Sequence, residues 1–158
     1  MHQKLTVTVN GTDHELEIDT RITLATLVRE HLGLTGTHVG CRTGNCGACT
    51  VRLDGATVKS CCVLALEVDG HRVETVESLR DGDDLHPVQQ AFADAQALQC
   101  GFCTAGMVMS AVALLDGTPD PTEDEVRRGL AGNLCRCTGY TAILDAVAAA
   151  ARDRRVPQ

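Results

Sequence analysis

Apolar and polar residues alternate over Leu5-Thr6-Val7-Thr8-Val9, the period-2 pattern of a half-buried strand. Asn10-Gly11 is a strong hairpin signal, and His14 to Ile18 supplies the returning strand. Between Thr23 and His31 the spacing of Leu24, Leu27 and Val28 is helical, with Gly33 as a stop. Residues 37–48 have no period and are rich in glycine (Gly40, Gly44, Gly47), so they read as a loop. Strands are predicted over Cys49–Leu53 and Ala56–Ser60 around an Asp54-Gly55 turn, and over Arg72–Thr75 after Asp69-Gly70. Residues 1–77 therefore form a small α+β unit. Beyond them the period changes to 3.6, with helices predicted from Pro87 to about Ala95, Thr104 to Leu115, and Thr141 to about Arg152. A short one is opened by the capping box Thr122-x-x-Glu125. Residues 78–158 thus read as a second domain of four helices.

Composition limits what these two units can do. The 158 residues are 44% hydrophobic, yet Trp is absent and only Phe92, Phe102 and Tyr140 are aromatic. Small domains short of core lean on metals or disulfides, and nine cysteines are present to serve. Net charge is −7 with Lys and Arg scattered, which excludes the basic footprint of a nucleic-acid binder. No apolar run approaches the ~18 residues of a membrane span. The N-terminal MHQKLTVTVN lacks the apolar core of an export signal, so a cytoplasmic location is expected and cysteines there read as metal ligands. There is no glycine-rich nucleotide fingerprint, P-loop or isolated carboxylate pair, so no catalytic residue is assigned.

Candidate chemistry lies in the cysteines. Cys41, Cys46, Cys49 and Cys61 follow the x4-x2 spacing of plant-type ferredoxins inside the glycine-rich loop. Glycine there lets backbone N–H groups approach an inorganic cluster. A second quartet, Cys100-x2-Cys103 and Cys135-x-Cys137, precedes two of the predicted helices, whose N-termini would offset a cluster's negative charge. Either quartet suits a [2Fe–2S] cluster or a structural zinc, and zinc is the stronger rival at the second. No Cys-x-His pair exists for a Rieske centre. Cys62 follows Cys61 on a predicted strand, where neighbours face opposite ways, and reads as a buried free thiol; exchange with Cys61 as ligand is the lesser alternative. His38 and His86 read as capping or surface residues, and Gln99 as an ordinary loop amide.

Gly40-Cys41, Cys46-Gly47-x-Cys49-Thr50-Val51, Ser60-Cys61, Gln99-Cys100-Gly101-Phe102-Cys103-Thr104 and Gly132-Asn133-Leu134-Cys135-Arg136-Cys137-Thr138-Gly139-Tyr140 together resemble the iron–sulfur subunit of molybdenum hydroxylases. This family includes xanthine dehydrogenases, aerobic carbon monoxide dehydrogenase and aldehyde, nicotine and quinoline oxidoreductases. The resemblance spans about residues 3 to 151 and is nearest to the carbon monoxide dehydrogenase type of small chain. It implies a plant-ferredoxin-like β-grasp domain followed by a four-helix domain that buries a second [2Fe–2S] cluster. It also implies electron transfer from a molybdopterin-binding large subunit, through both clusters, to an FAD-binding medium subunit, within a dimer of heterotrimers. Gln99 and Cys137 would lie beside the pterin. Ala105 stands where a proline is usual, His38 where a lysine is common, and Cys62 is extra. A free-standing ferredoxin-like carrier and an iron–sulfur redox sensor are the competing functions. The resemblance does not select a substrate.

Overall fold

The predicted alternation is carried by two long strands, β1 (His2–Val9) and β2 (Thr12–Asp19), paired antiparallel in a computed structural model that describes residues 1–154. Asn10 and Gly11 both take positive φ (50° and 78°), the conformation a two-residue hairpin needs to follow strand twist. Asp54 and Gly55 repeat this (47° and 84°) between β3 (Thr50–Leu53) and β4 (Ala56–Lys59). With β5 (Arg72–Glu74) these strands make one mixed sheet in the order β2-β1-β5-β3-β4, in which only the β1–β5 pair is parallel.

Leu5, Val7 and Val9 point to one face of the sheet, where they meet Ile18, Val51 and Val73. The helix that covers this face is α1 (Leu24–Thr26), and it continues as a π-helical turn, Leu27–His31, rather than as the regular α-helix its spacing suggests. Leu32 N–H accordingly bonds Leu27 C=O, and the wider turn buries Leu27 and Val28 side by side. Each such fully buried side chain contributes about 1.5–3 kcal/mol.

The second half contains α2 (Pro87–Asp94), α3 (Thr104–Gly117), α4 (Glu123–Leu130) and α5 (Thr141–Asp153), close to the predicted spans. His86 does cap: its Nδ1 accepts the Val88 N–H at 3.2 Å. The Thr122–Glu125 box is also formed. α3 is buried nearly all round because it packs against β3 on one side and against α2 and α4 on the other. Its start is regular without the proline, since Met107 N–H bonds Cys103 C=O at 3.0 Å. Asp116 at its far end joins Arg52 of β3 (3.1 Å) to Arg154 (3.0 Å). The two halves are thereby clamped along one helix, with the cysteine loops at its other end. No helix among the described residues is long and apolar enough to cross a membrane. The last four residues of the 78–158 span lie outside those described.

Candidate metal centres

All nine cysteines are free thiols. The first group forms where the loop of 41–49 meets a 3-10 turn, Ser60–Cys62, that follows β4. Ser60 fixes this turn by donating its N–H (3.2 Å) and hydroxyl (2.8 Å) to Cys49 C=O. The N–H groups of Thr43 and Cys46 both point at Cys41 Sγ from 3.4 Å. Hydrogen bonds from Thr43 and then from Cys46 bring the Cys41 thiol down to about 6, a donor nest suited to an anion. Burial, with Cys61 alongside, pushes Cys49 up to about 11. Cys41 thus faces Cys46, and Cys49 faces Cys61.

The second group is built from the start of α3 and the turn before α5. Cys103 is the N-cap residue of α3, and burial pushes its thiol up to about 12, helped by Cys135 opposite. Cys135 is opposed by burial too, yet Thr138, through hydroxyl and N–H, brings it down to about 7. Tyr140, the left-handed N-cap residue of α5 (φ 72°), accepts the Cys135 N–H on its hydroxyl at 2.9 Å. The outer pair, Cys100 and Cys137, has its sulfurs 3.6 Å apart.

Both groups therefore present their thiols in twos. Among the described residues no three His, Cys, Asp or Glu side chains close around one ion. A tetrahedral zinc needs four sulfurs all within about 4 Å of one another, since each sits ~2.3 Å from the metal. Pairs suit two irons, each held by two thiolates, and the donors at Cys41 and Cys135 suit the charge of such a centre. Thr104 Oγ1, next to Cys103, is the only buried side-chain N or O among the described residues without a partner, a hydroxyl free to donate to cluster sulfur. The residues present fit a [2Fe–2S] group at both places.

Three expectations need correcting. Cys62 is exposed, and its Sγ lies 3.6 Å from that of Cys61, because the chain there is a tight turn and not a strand. His38 is a bridge between the halves: its ring stacks on Phe102 at 4.9 Å and its Nδ1 donates to Phe102 C=O. In the chain by itself the helical domain leaves part of its thiol group uncovered. Gln99, Cys100 and Cys137 are exposed, as are Leu98 (41%), Phe102 (47%) and Leu134 (55%) in the same turns, while Cys103 and Cys135 pack against the helical core.

What the sequence did not indicate is how the two loops dock. Leu134 N–H donates to Cys46 C=O at 2.8 Å, so a single hydrogen bond joins the residue beside ligand candidate Cys135 to ligand candidate Cys46. Buried Asn133 donates to Gly47 C=O (3.0 Å) and accepts from Ser110 (2.8 Å). Thr50 also donates to Gly47 C=O (2.7 Å) and receives Lys59 Nζ (2.8 Å). A Cβ on Gly47 would run into Gly132 C=O, and one on Gly106 into Gly47 C=O. Glycine inside each cysteine motif was the available signal, but not which backbone it would meet.

Residues 7–79 match the family described as 2Fe-2S iron-sulfur cluster binding domain, and residues 75–148 the one described as [2Fe-2S] binding domain. The chain is 52% identical to the nicotine 6-hydroxylase small subunit of Paenarthrobacter nicotinovorans, over 91% of this chain and 87% of that one. It belongs to the iron–sulfur small subunits of the molybdenum hydroxylase family. Quinoline 2-oxidoreductase from Pseudomonas putida 86 has a chain that superposes with a TM-score of 0.94 at 46% identity, covering 98% of this chain and 96% of that one. Aldehyde oxidoreductase from Desulfovibrio gigas superposes with a TM-score of 0.91 at 41% identity, and there the match covers 98% of this chain but 18% of the larger one. This small subunit is accordingly an electron-transfer component of an oxidoreductase with two [2Fe–2S]-binding domains, and works with larger partner subunits. That membership favours it over a free-standing carrier or a redox sensor.

Proposed function

We propose that this chain carries electrons from a molybdopterin-binding large subunit to an FAD-binding medium subunit, in a cytoplasmic dimer of heterotrimers. Residues 1–77 form the plant-ferredoxin-like β-grasp domain and 78–158 the four-helix domain. Cys41, Cys46, Cys49 and Cys61 hold one [2Fe–2S] cluster, and Cys100, Cys103, Cys135 and Cys137 the other. Each cluster supplies a site that gains and loses one electron. The protein's part is to hold the sites close, to bias their potentials and to present each to a different neighbour.

The observation that carries this reading is the direct bond from Leu134 N–H to Cys46 C=O, which couples the two thiol groups without an intervening side chain. The exposure of Gln99, Cys100 and Cys137, with apolar Leu98 and Leu134 exposed in the same turns, supports a partner surface here, at which the Gln99 amide and Cys137 sulfur would hydrogen-bond the pterin. A groove of about 650 Å³ opens beside Cys61, lined by Arg21, Arg29, Arg42, His38 and Phe102. These arginines on an otherwise acidic chain suit the flavin-bearing partner.

Tagged chain purified with its native partners, then screened for dye reduction with N-heterocycles and aldehydes, tests the proposal. The expected result is copurified larger subunits, about four irons per small subunit and two distinct EPR signals on reduction. Stoichiometric zinc, or turnover by the small subunit alone, would contradict it.

A further inference from the structure

The structure assigns Cys62 a role of its own: we propose that it is a reserve iron ligand of the N-terminal centre, able to take the place of Cys61. This rests on reading Cys41, Cys46, Cys49 and Cys61 as the resident set. The 3-10 turn at 60–62 brings both neighbouring sulfurs to the same side, 3.6 Å apart. That is also the separation of Cys100 and Cys137, and close to the about 3.8 Å between two thiolates sharing one tetrahedral metal with ~2.3 Å bonds. Cys62 also rests against the ligand loop, its Sγ 3.3 Å from where a Cβ on Gly44 would stand. Gly44 carries no side chain to obstruct it.

The two sulfurs differ in freedom. Cys61 is buried (9% exposed), and its turn is tied on one side to Cys49 through Ser60 and on the other to Leu24, whose N–H bonds Val63 C=O at 2.8 Å. Cys62 is exposed, so its side chain can turn without moving that frame; one rotamer step carries a cysteine sulfur roughly 3 Å. In the exchange the Cys62 thiol releases its proton to solvent and its sulfur bonds iron. The iron–sulfur bond to Cys61 breaks, and the released thiolate takes up a proton. No electron moves, and the ligand charge on iron is unchanged. Ligand loss at Cys61 then becomes recoverable.

The test compares Cys61→Ala, Cys62→Ala and the double variant in the assembled complex, by iron content and by EPR of the reduced protein. Alanine is used so that no hydroxyl can ligate. Cys61→Ala is expected to keep about four irons per chain, with the N-terminal signal shifted, while the double variant falls to about two. Two irons in Cys61→Ala, equal to the double variant, would overturn the proposal. The helical-domain signal reports folding in each variant. A second measurement leaves Cys61 in place: chelator-driven iron loss from the N-terminal centre should be severalfold faster in Cys62→Ala than in wild type, and equal rates would refute a reserve role. Failure of the subunit reading looks different, as wild type would itself lack two signals.

Discussion

The two thiol groups each gather four cysteines but are walled differently. The N-terminal group is the more covered of the two: Cys49 is 2% exposed, Cys61 is buried, Ser60 and the Cys41 nest tie the loop to itself, and Leu134 and Asn133 of the helical half bond Cys46 C=O and Gly47 C=O. The helical group is closed on one side only. Cys103 caps the start of α3 and Cys135 sits in the turn before α5, while Cys100 and Cys137 are exposed, as are Leu98 and Leu134 next to these motifs. Four helices can pack a core at one end and still leave the metal turns at the other uncovered.

Breaking the joint between the groups should have the largest effect. Gly47→Ala forces a Cβ against Gly132 C=O at a positive φ (73°), and is expected to cost about 3 kcal/mol or more and to separate the centres. Thermal unfolding would show the loss, and weakened magnetic interaction between the two reduced centres would show the separation. Asn133→Ala removes one of two side-chain donors to Gly47 C=O and strands the Ser110 hydroxyl in the interior. A loss of about 2 kcal/mol with iron content unchanged is expected from chemical denaturation.

Lys59 sharpens the comparison electrostatically. Its ammonium lies within the influence of Cys46, Cys49 and Cys61, and burial, its largest perturbation, lowers its pKa. A positive charge there favours the reduced, more negative centre. Lys59→Gln should lower the N-terminal potential by roughly 1 kcal/mol, or about 40 mV for one electron, and leave the helical one in place. EPR-monitored redox titration separates the two.

The smallest effect lies away from both groups. His86 caps α2 as an acceptor, so it must be neutral, and burial followed by the nearby Arg154 charge lowers its pKa. A lowered histidine pKa means the folded state binds fewer protons. Its contribution is therefore present above the ordinary value of about 6.5 and lost as pH falls below it. His86→Asn, which keeps a capping oxygen, should remove that part of the pH dependence of unfolding.

Local signals were legible in the sequence because their causes are local. Asn10-Gly11 and Asp54-Gly55 fix their turns through backbone conformation, Thr122 and Glu125 close a cap within four residues, and the cysteine spacings group the thiols. Readings that depended on distant packing were not legible. Cys62 changes face because residues 60–62 coil to reach Cys49, a contact set by the loop and not by period 2. His38 finds Phe102, and Gly47 finds Asn133, across more than sixty positions of chain. The exposure of Cys100 and Cys137 depends on where the helices pack, which their individual periods do not state.

On the proposed function the centres act in series, the helical one facing the organic substrate's subunit and the N-terminal one facing the acceptor. Rapid-freeze EPR of assembled Cys46→Ala enzyme, mixed with its organic substrate and assayed in parallel for dye reduction, tests this most directly. The helical-domain signal is expected still to appear on mixing while electron delivery to the dye stops. Failure of substrate to reduce the helical-domain centre, or undiminished dye reduction without the N-terminal centre, would contradict it.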